Sequence, residues 1–132
     1  NDLVAGHVQL AVDNILSALP HVRVGKLRAL AVTTAKRAPS APQTPTLAEA
    51  GFAGFDASSW FGLVAPANTH KDIVGQLNAR AQKALQSSDV REKLTNIGAE
   101  VVGGTPEQFG AFIATEHERW ARLIKERNIK GN

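Results

Sequence analysis

The chain lacks cysteine altogether, which excludes disulfide bridges, thiolate metal sites and cysteine nucleophiles at once. This absence is compatible with an oxidising compartment such as a periplasm, although many cytosolic proteins lack cysteine too. No apolar run approaches the ~20 residues that a membrane-spanning helix needs. No basic leader with an apolar core and a cleavage site is present, so we expect no signal peptide within these residues.

Methionine is also absent, so the sequence contains no initiator residue. It begins at Asn1, and a helix-like pattern, Leu3-Val4-Ala5-Gly6, follows almost at once. We therefore expect a fragment or a processed product of a longer protein. A mature protein whose natural N-terminus is Asn1 is the alternative.

The 132 residues fit one domain, and a hydrophobic content of 43% allows a real core. The formal charge of +3 permits a nucleic-acid partner. However, the basic residues are dispersed, acidic residues are mixed among them, and no platform of aromatic and basic residues appears. We therefore expect no nucleic-acid partner.

Apolar segments that read as strands alternate with helical patterns along the chain. Strands are predicted at residues 8–12, 27–33, 59–65 and 99–102. Three prolines between Lys36 and Thr46 predict an extended loop. The second half is mostly helical, with apolar stripes that begin near Asp72, near Asp89 and at Pro106. This order predicts an α/β layer fold with short strands and a helix-rich second half.

Several helix starts carry capping signals. Thr105 as N-cap, Pro106 at the first helical position and Gln108 at the reciprocal capping-box position together predict the start of a helix. Trp120, in this helix, is predicted to anchor the core. Thr46 with Glu49 has capping-box spacing and predicts a short helix. Pro20 lies soon after the start that Asp13 and Asn14 predict, so this helix should be short or start later.

Asp13-Asn14 is the first candidate site, because a strand that ends at a helix N-terminus presents unpaired backbone N–H groups to an anion. Asn14 can donate a side-chain hydrogen bond as well. Asp13 is negative and better suits an amine, a hydroxyl or a bridging water. Simple N-capping is the alternative. The glycines before Thr105 also precede a helix, but capping explains them better, since no Walker pattern follows.

No catalytic set emerges from the sequence. Ser58 and Ser59 lack the Gly-x-Ser-x-Gly elbow of a serine hydrolase. The four histidines have no metal-ligand spacing; they are His7, His21, His70 and His117. We therefore expect a binding protein that is not an enzyme and that uses no cofactor and no metal.

Ordered blocks along the chain resemble the Bug/TctC family, the substrate-binding receptors of tripartite tricarboxylate transporters. The blocks are Leu3 to Asn14, Gly25 to Thr33, Pro45 to Gly51, Ser59 to Gly62 with Ala65-Pro66, and Gly98 to Glu100 with Gly103 to Glu107. The resemblance covers essentially the whole chain. The family's Ala-Pro-Ala-Gly-Thr-Pro turn has Asn68 and His70 here, which keeps the turn but loses some rigidity.

The resemblance implies the C-terminal part of a type II periplasmic-binding-protein fold, in which two α/β lobes close on a small ligand. Residues of about 1–35 would supply second-lobe and crossing-strand elements, and residues of about 36–132 would return to the first lobe. The family's second-lobe contact loop maps onto this chain at the Asp13-Asn14 turn. It implies ligand binding at Asp13, Asn14, Ile15 and Ser17.

The implied function is an extracytoplasmic, periplasmic solute receptor that binds small carboxylates for membrane transporter subunits and catalyses no reaction. An isolated piece of such a receptor should bind weakly or not at all. The alternative from a different class is a self-associating α/β module, a homodimer formed by strand or lobe exchange, without independent ligand binding.

Overall fold

A computed structural model describes residues 1–131, and helices are its main regular elements. They are α1 (Asp2–Ala5), α2 (Ile15–Arg23), α3 (Lys71–Gln86), α4 (Ser88–Ile97) and α5 (Pro106–Glu126). The chain forms two compact units. The first contains Asn1–Val64 and Gln86–Val101, and the second contains Ala65–Leu85 and residues 102–131. The assignment of residues 1–35 and 36–132 to two receptor lobes stays a prediction.

The predicted strands do not form a ladder. Within residues 1–131 the backbone pairing is limited to one parallel bridge, between Val32 and Thr46. The segments 8–12, 59–65 and 99–102 contain no strand. A strand is defined by hydrogen bonds to a neighbour, and these segments have no neighbouring strand within the described chain. Their sequence pattern therefore marks strand-forming segments that are not paired here.

The first unit is built around the contact between α2 and α4. Leu19 of α2 is 4% exposed, and among residues 1–131 it is the only apolar residue that is buried. The guanidinium of Arg23 donates to the carbonyl of Asn96 at 3.0 Å, so the C-terminal end of α2 is held on α4. Of the two alternatives predicted for α2, the short helix is correct, since it has nine residues, whereas the late start is wrong, since it begins at Ile15 and runs through Pro20 to Arg23. Proline removes one N–H from the helix ladder, and the contacts with α4 help to offset that loss.

The Thr46–Glu49 segment has the predicted capping bonds without the predicted helix. The Thr46 N–H donates to Glu49 Oε2 at 2.7 Å, and the Glu49 N–H donates to Thr46 Oγ1 at 3.0 Å. The hydrogen bond from Arg37 is the main reason why the pKa of Glu49 lies below its usual value. The segment forms consecutive turns. Pro45 and Gly51 leave too few residues to repay the cost of helix nucleation.

In the second unit, α5 begins as predicted. The Thr105 hydroxyl accepts from the Gln108 N–H at 3.2 Å, and the Gln108 side chain accepts from the Thr105 N–H at 2.9 Å. Trp120 was predicted to be a core anchor, yet it is 37% exposed. Its indole N–H donates to Glu116 at 3.0 Å, within the same helix. No residue of α5 is buried, so the apolar face of this helix is only partly covered by other residues of the described chain.

Candidate ligand-binding turn

The four predicted site residues lie together in the first turn of α2. Asn14 is the N-cap, with extended backbone angles, and its Oδ1 accepts from the Leu16 N–H at 3.0 Å. Its carbonyl accepts from the N–H groups of Ser17 and Ala18 at 3.1 and 3.0 Å. The capping interpretation is therefore correct for Asn14. Capping and ligand contact are compatible, because capping uses only the oxygen of this side-chain amide.

Two donors of this turn remain available. The Ile15 N–H and the Asn14 Nδ2 group have no acceptor among residues 1–131. Amides in the first turn of a helix point out of its N-terminal end, where the helix dipole is positive. A carboxylate placed before the helix would thus meet one backbone amide and one side-chain amide. This is the arrangement that commonly binds anions at helix N-termini.

Asp13 and Ser17 have more limited roles in this turn. The Asp13 carboxylate is exposed and accepts from the Asn14 N–H at 2.7 Å. Its negative charge opposes a bare carboxylate and suits a hydroxyl, an ammonium group or a water. The Ser17 hydroxyl donates to the Asn14 carbonyl at 2.8 Å, which leaves its lone pairs for a ligand that donates.

The side chain of Ile15 faces the protein. A Cβ built on Gly98 would lie 3.4 Å from Ile15 Cγ2, so the isoleucine packs beside the residue that caps α4. Only the amide of Ile15 is thus left for a ligand. The packing of Ile15 beside Gly98 was not predicted, since the glycine pattern indicated only the end of a helix.

Gly98 is expected to tolerate no side chain. Its φ is +97°, and an added Cβ would lie 3.3 Å from Ser40 Oγ. We expect Gly98→Ala to lower the free energy of unfolding by about 1–3 kcal/mol. Urea unfolding followed by circular dichroism measures this change. Gly110→Ala is the matched control, because Gly110 lies within α5 with nothing within 4 Å of an added Cβ. That variant should be stabilised by about 1 kcal/mol; equal effects of the two would contradict the prediction.

Among residues 1–131, no three histidine, aspartate or glutamate side chains are grouped so that they could hold a metal ion. None of the helices described is both long and apolar enough to cross a bilayer.

The chain is similar to known proteins in sequence and in fold. The chain is 41% identical over 129 residues to the protein BugT of Bordetella pertussis, covering 98% of this chain and 40% of BugT. It is 38% identical over 132 residues to a protein from the clcB-clcD intergenic region of Pseudomonas knackmussii, covering 99% of this chain and 78% of that protein. A similar protein from the tcbD-tcbE intergenic region of Pseudomonas sp. strain P51 is 39% identical, with 40% of its length covered. The chain thus spans about 40% of two of these relatives.

Solved structures agree. An R. palustris protein with adipate matches with a TM-score of 0.86 and 41% identity, over 94% of this chain and 42% of that one. The periplasmic binding protein BugD matches with a TM-score of 0.89 and 33% identity, over 100% of this chain and 45% of BugD. MatC from Rhodopseudomonas palustris with bound malate matches with a TM-score of 0.80 and 38% identity, over 93% and 43%.

These likenesses confirm the predicted fold class, because the unpaired segments and helices match part of an α/β periplasmic binding protein. The family model for the tripartite tricarboxylate transporter family receptor matches residues 1–129. This chain belongs to that receptor family.

Proposed function

We propose that this chain is part of a periplasmic receptor that captures a small carboxylate and delivers it to the membrane subunits of a tripartite tricarboxylate transporter. The observation that carries the proposal is the likeness to two proteins solved with adipate and with malate, both small dicarboxylates. Receptor proteins of this kind bind and release their solute unchanged. The proposal therefore includes no catalysis, no cofactor and no metal.

The α2 turn supplies a physical reason for carboxylate binding. The Ile15 N–H and Asn14 Nδ2 would donate to one carboxylate, and the positive end of the α2 dipole would favour the negative charge. Asp13 and Ser17 would accept from a hydroxyl or from waters around the ligand. Closure of two lobes around the solute would then shift the population from open to closed receptors, and the transporter would respond to the closed form.

A chimaera tests the proposal. The part of the R. palustris adipate-associated protein that matches this chain would be replaced by residues 1–131, which is feasible because the two share a TM-score of 0.86. Calorimetry with adipate, malate and citrate should show saturable binding of at least one acid. A chimaera that folds cooperatively but binds none of these acids would contradict the proposal. The isolated chain should bind far more weakly, and micromolar affinity would show that a second lobe is dispensable.

A second candidate function is self-association, which the exposed segment of residues 61–64 favours. Phe61, Leu63 and Val64 are 74%, 83% and 84% exposed. The backbone groups of residues 61–64 have no hydrogen-bond partner within the described chain. An apolar extended segment with free backbone groups is a template for pairing with another strand. We infer that two copies of the chain pair through this segment, as strand exchange requires.

A further inference from the structure

A cleft in the first unit adjoins the α2 turn at Gly98 but is lined by none of residues 13–17. Its volume is ≈ 270 Å³, close to the lower limit of ~300 Å³ for ligand pockets, so its ligand must be small. The cleft lies between the loop at Ser40 and α4 with the residues that follow this helix. Arg91, Thr95 and Glu100 line it.

The Ser40 hydroxyl is the first sign of a ligand. Its oxygen is buried and has no hydrogen-bond partner within residues 1–131. Buried polar groups are nearly always paired, and an unpaired one calls for a missing partner. Gly98 leaves space beside this hydroxyl, since a Cβ there would lie 3.3 Å from Ser40 Oγ.

The charges around the cleft indicate the chemistry of that ligand. Arg91 and Thr95 are four residues apart on α4 and therefore lie on one face of the helix. Glu100 lies just beyond the C-terminal end of α4, where the helix dipole is negative. Within the described chain, Arg91 and Glu100 form no ion pair with each other or with another residue. One end of the cleft thus favours an anion and the other a cation.

We propose that this cleft binds a small zwitterion whose carboxylate meets Arg91 and whose ammonium group meets Glu100 and the C-terminal end of α4. Because the two charged side chains are not in contact, the two charges of the ligand should be separated by a short aliphatic chain. The Ser40 and Thr95 hydroxyls hydrogen-bond to the polar ends of the ligand. An ω-amino acid has this form.

The experiment titrates the chain with γ-aminobutyrate and follows the backbone amides by NMR. Saturable shift changes are expected at Ser40 and at residues 95–100. Butyrate, which lacks the ammonium group, and butylamine, which lacks the carboxylate, should bind at least about 10-fold more weakly. The proposal is wrong if the three compounds bind equally or if none of them moves these amides.

Variants separate the two charged ends. Arg91→Gln and Glu100→Gln should each weaken γ-aminobutyrate binding by about 10-fold or more. Lys93→Gln is the matched control, because it lies on α4 outside the cleft and should leave binding unchanged. Unchanged binding in either cleft variant, or an equal loss in the control, would overturn the proposal.

Ser40→Ala distinguishes binding from stability. If the hydroxyl has no partner in the free protein, alanine should leave the Tm unchanged or raise it, while ligand binding weakens. A lowered Tm would show that the hydroxyl is already paired and would remove the main reason for a ligand. Asn14→Asp should not affect γ-aminobutyrate binding, so failure here and failure of the carboxylate receptor proposal are distinguishable.

Discussion

Asn14→Asp is expected to abolish most carboxylate binding in the receptor chimaera while leaving α2 intact. The substitution keeps the oxygen that accepts from the Leu16 N–H, and aspartate caps helices as well as asparagine does. It removes the Nδ2 donor and adds a negative charge at the point where the ligand carboxylate would lie. Loss of a hydrogen bond to a charged group costs about 1.5–3 kcal/mol, which corresponds to about 10- to 150-fold in affinity.

Two control variants separate the donor from the charge. Asn14→Ser keeps a capping oxygen without adding charge, so it should lose less affinity than Asn14→Asp. Asp13→Asn removes a negative charge beside the site and should bind adipate at least as tightly as the parent chimaera. Calorimetry gives the affinities, and thermal unfolding checks that α2 is stable. Equal adipate affinity in Asn14→Asp and the parent, with equal Tm, would show that this turn lies outside the binding site.

Local features of the fold were predicted from the sequence, and features that depend on distant residues were not. The capping box of Thr105 and Gln108 involves four neighbouring residues, so its spacing was sufficient. The same spacing at Thr46 and Glu49 predicted the bonds but not the turns that hold them, because flanking Pro45 and Gly51 limit the length of any helix.

The strand predictions show a different limit. An apolar alternating pattern states that a segment can pair, but the neighbour that completes the ladder is specified elsewhere. The packing of Ile15 and of Ser40 beside Gly98 could likewise not be predicted from the sequence, since the three residues are far apart along the chain. The candidate site came from the resemblance together with the helix-start signal at Asn14. The burial of the Ser40 hydroxyl depends on the approach of Gly98, which is distant in the sequence, so no local pattern predicts it.

The unpaired segment of residues 61–64 lies in a stretch of the chain without charged side chains. From Ala57 to His70 the chain carries no aspartate, glutamate, lysine or arginine, so no charge opposes the approach of an identical segment. Leu63 and Val64 are adjacent and would point to opposite faces of a strand, yet both are more than 80% exposed. Pairing between copies would cover both faces and satisfy the free backbone groups together.

Leu63→Lys is therefore expected to convert a concentration-dependent dimer into a monomer. Burial of a leucine side chain stabilises by about 1.5–3 kcal/mol, and a symmetric dimer loses this twice, so its dissociation constant should rise by about 100-fold or more. Sedimentation velocity across a wide concentration range measures the change. Ile73→Lys, on α3 and 51% exposed, adds the same charge outside the segment and should leave association unchanged. Only a contact through residues 61–64 makes the dimer depend on Leu63 and not on Ile73. The prediction is therefore wrong if the unaltered chain is monomeric at every concentration, or if the two variants dissociate to the same extent.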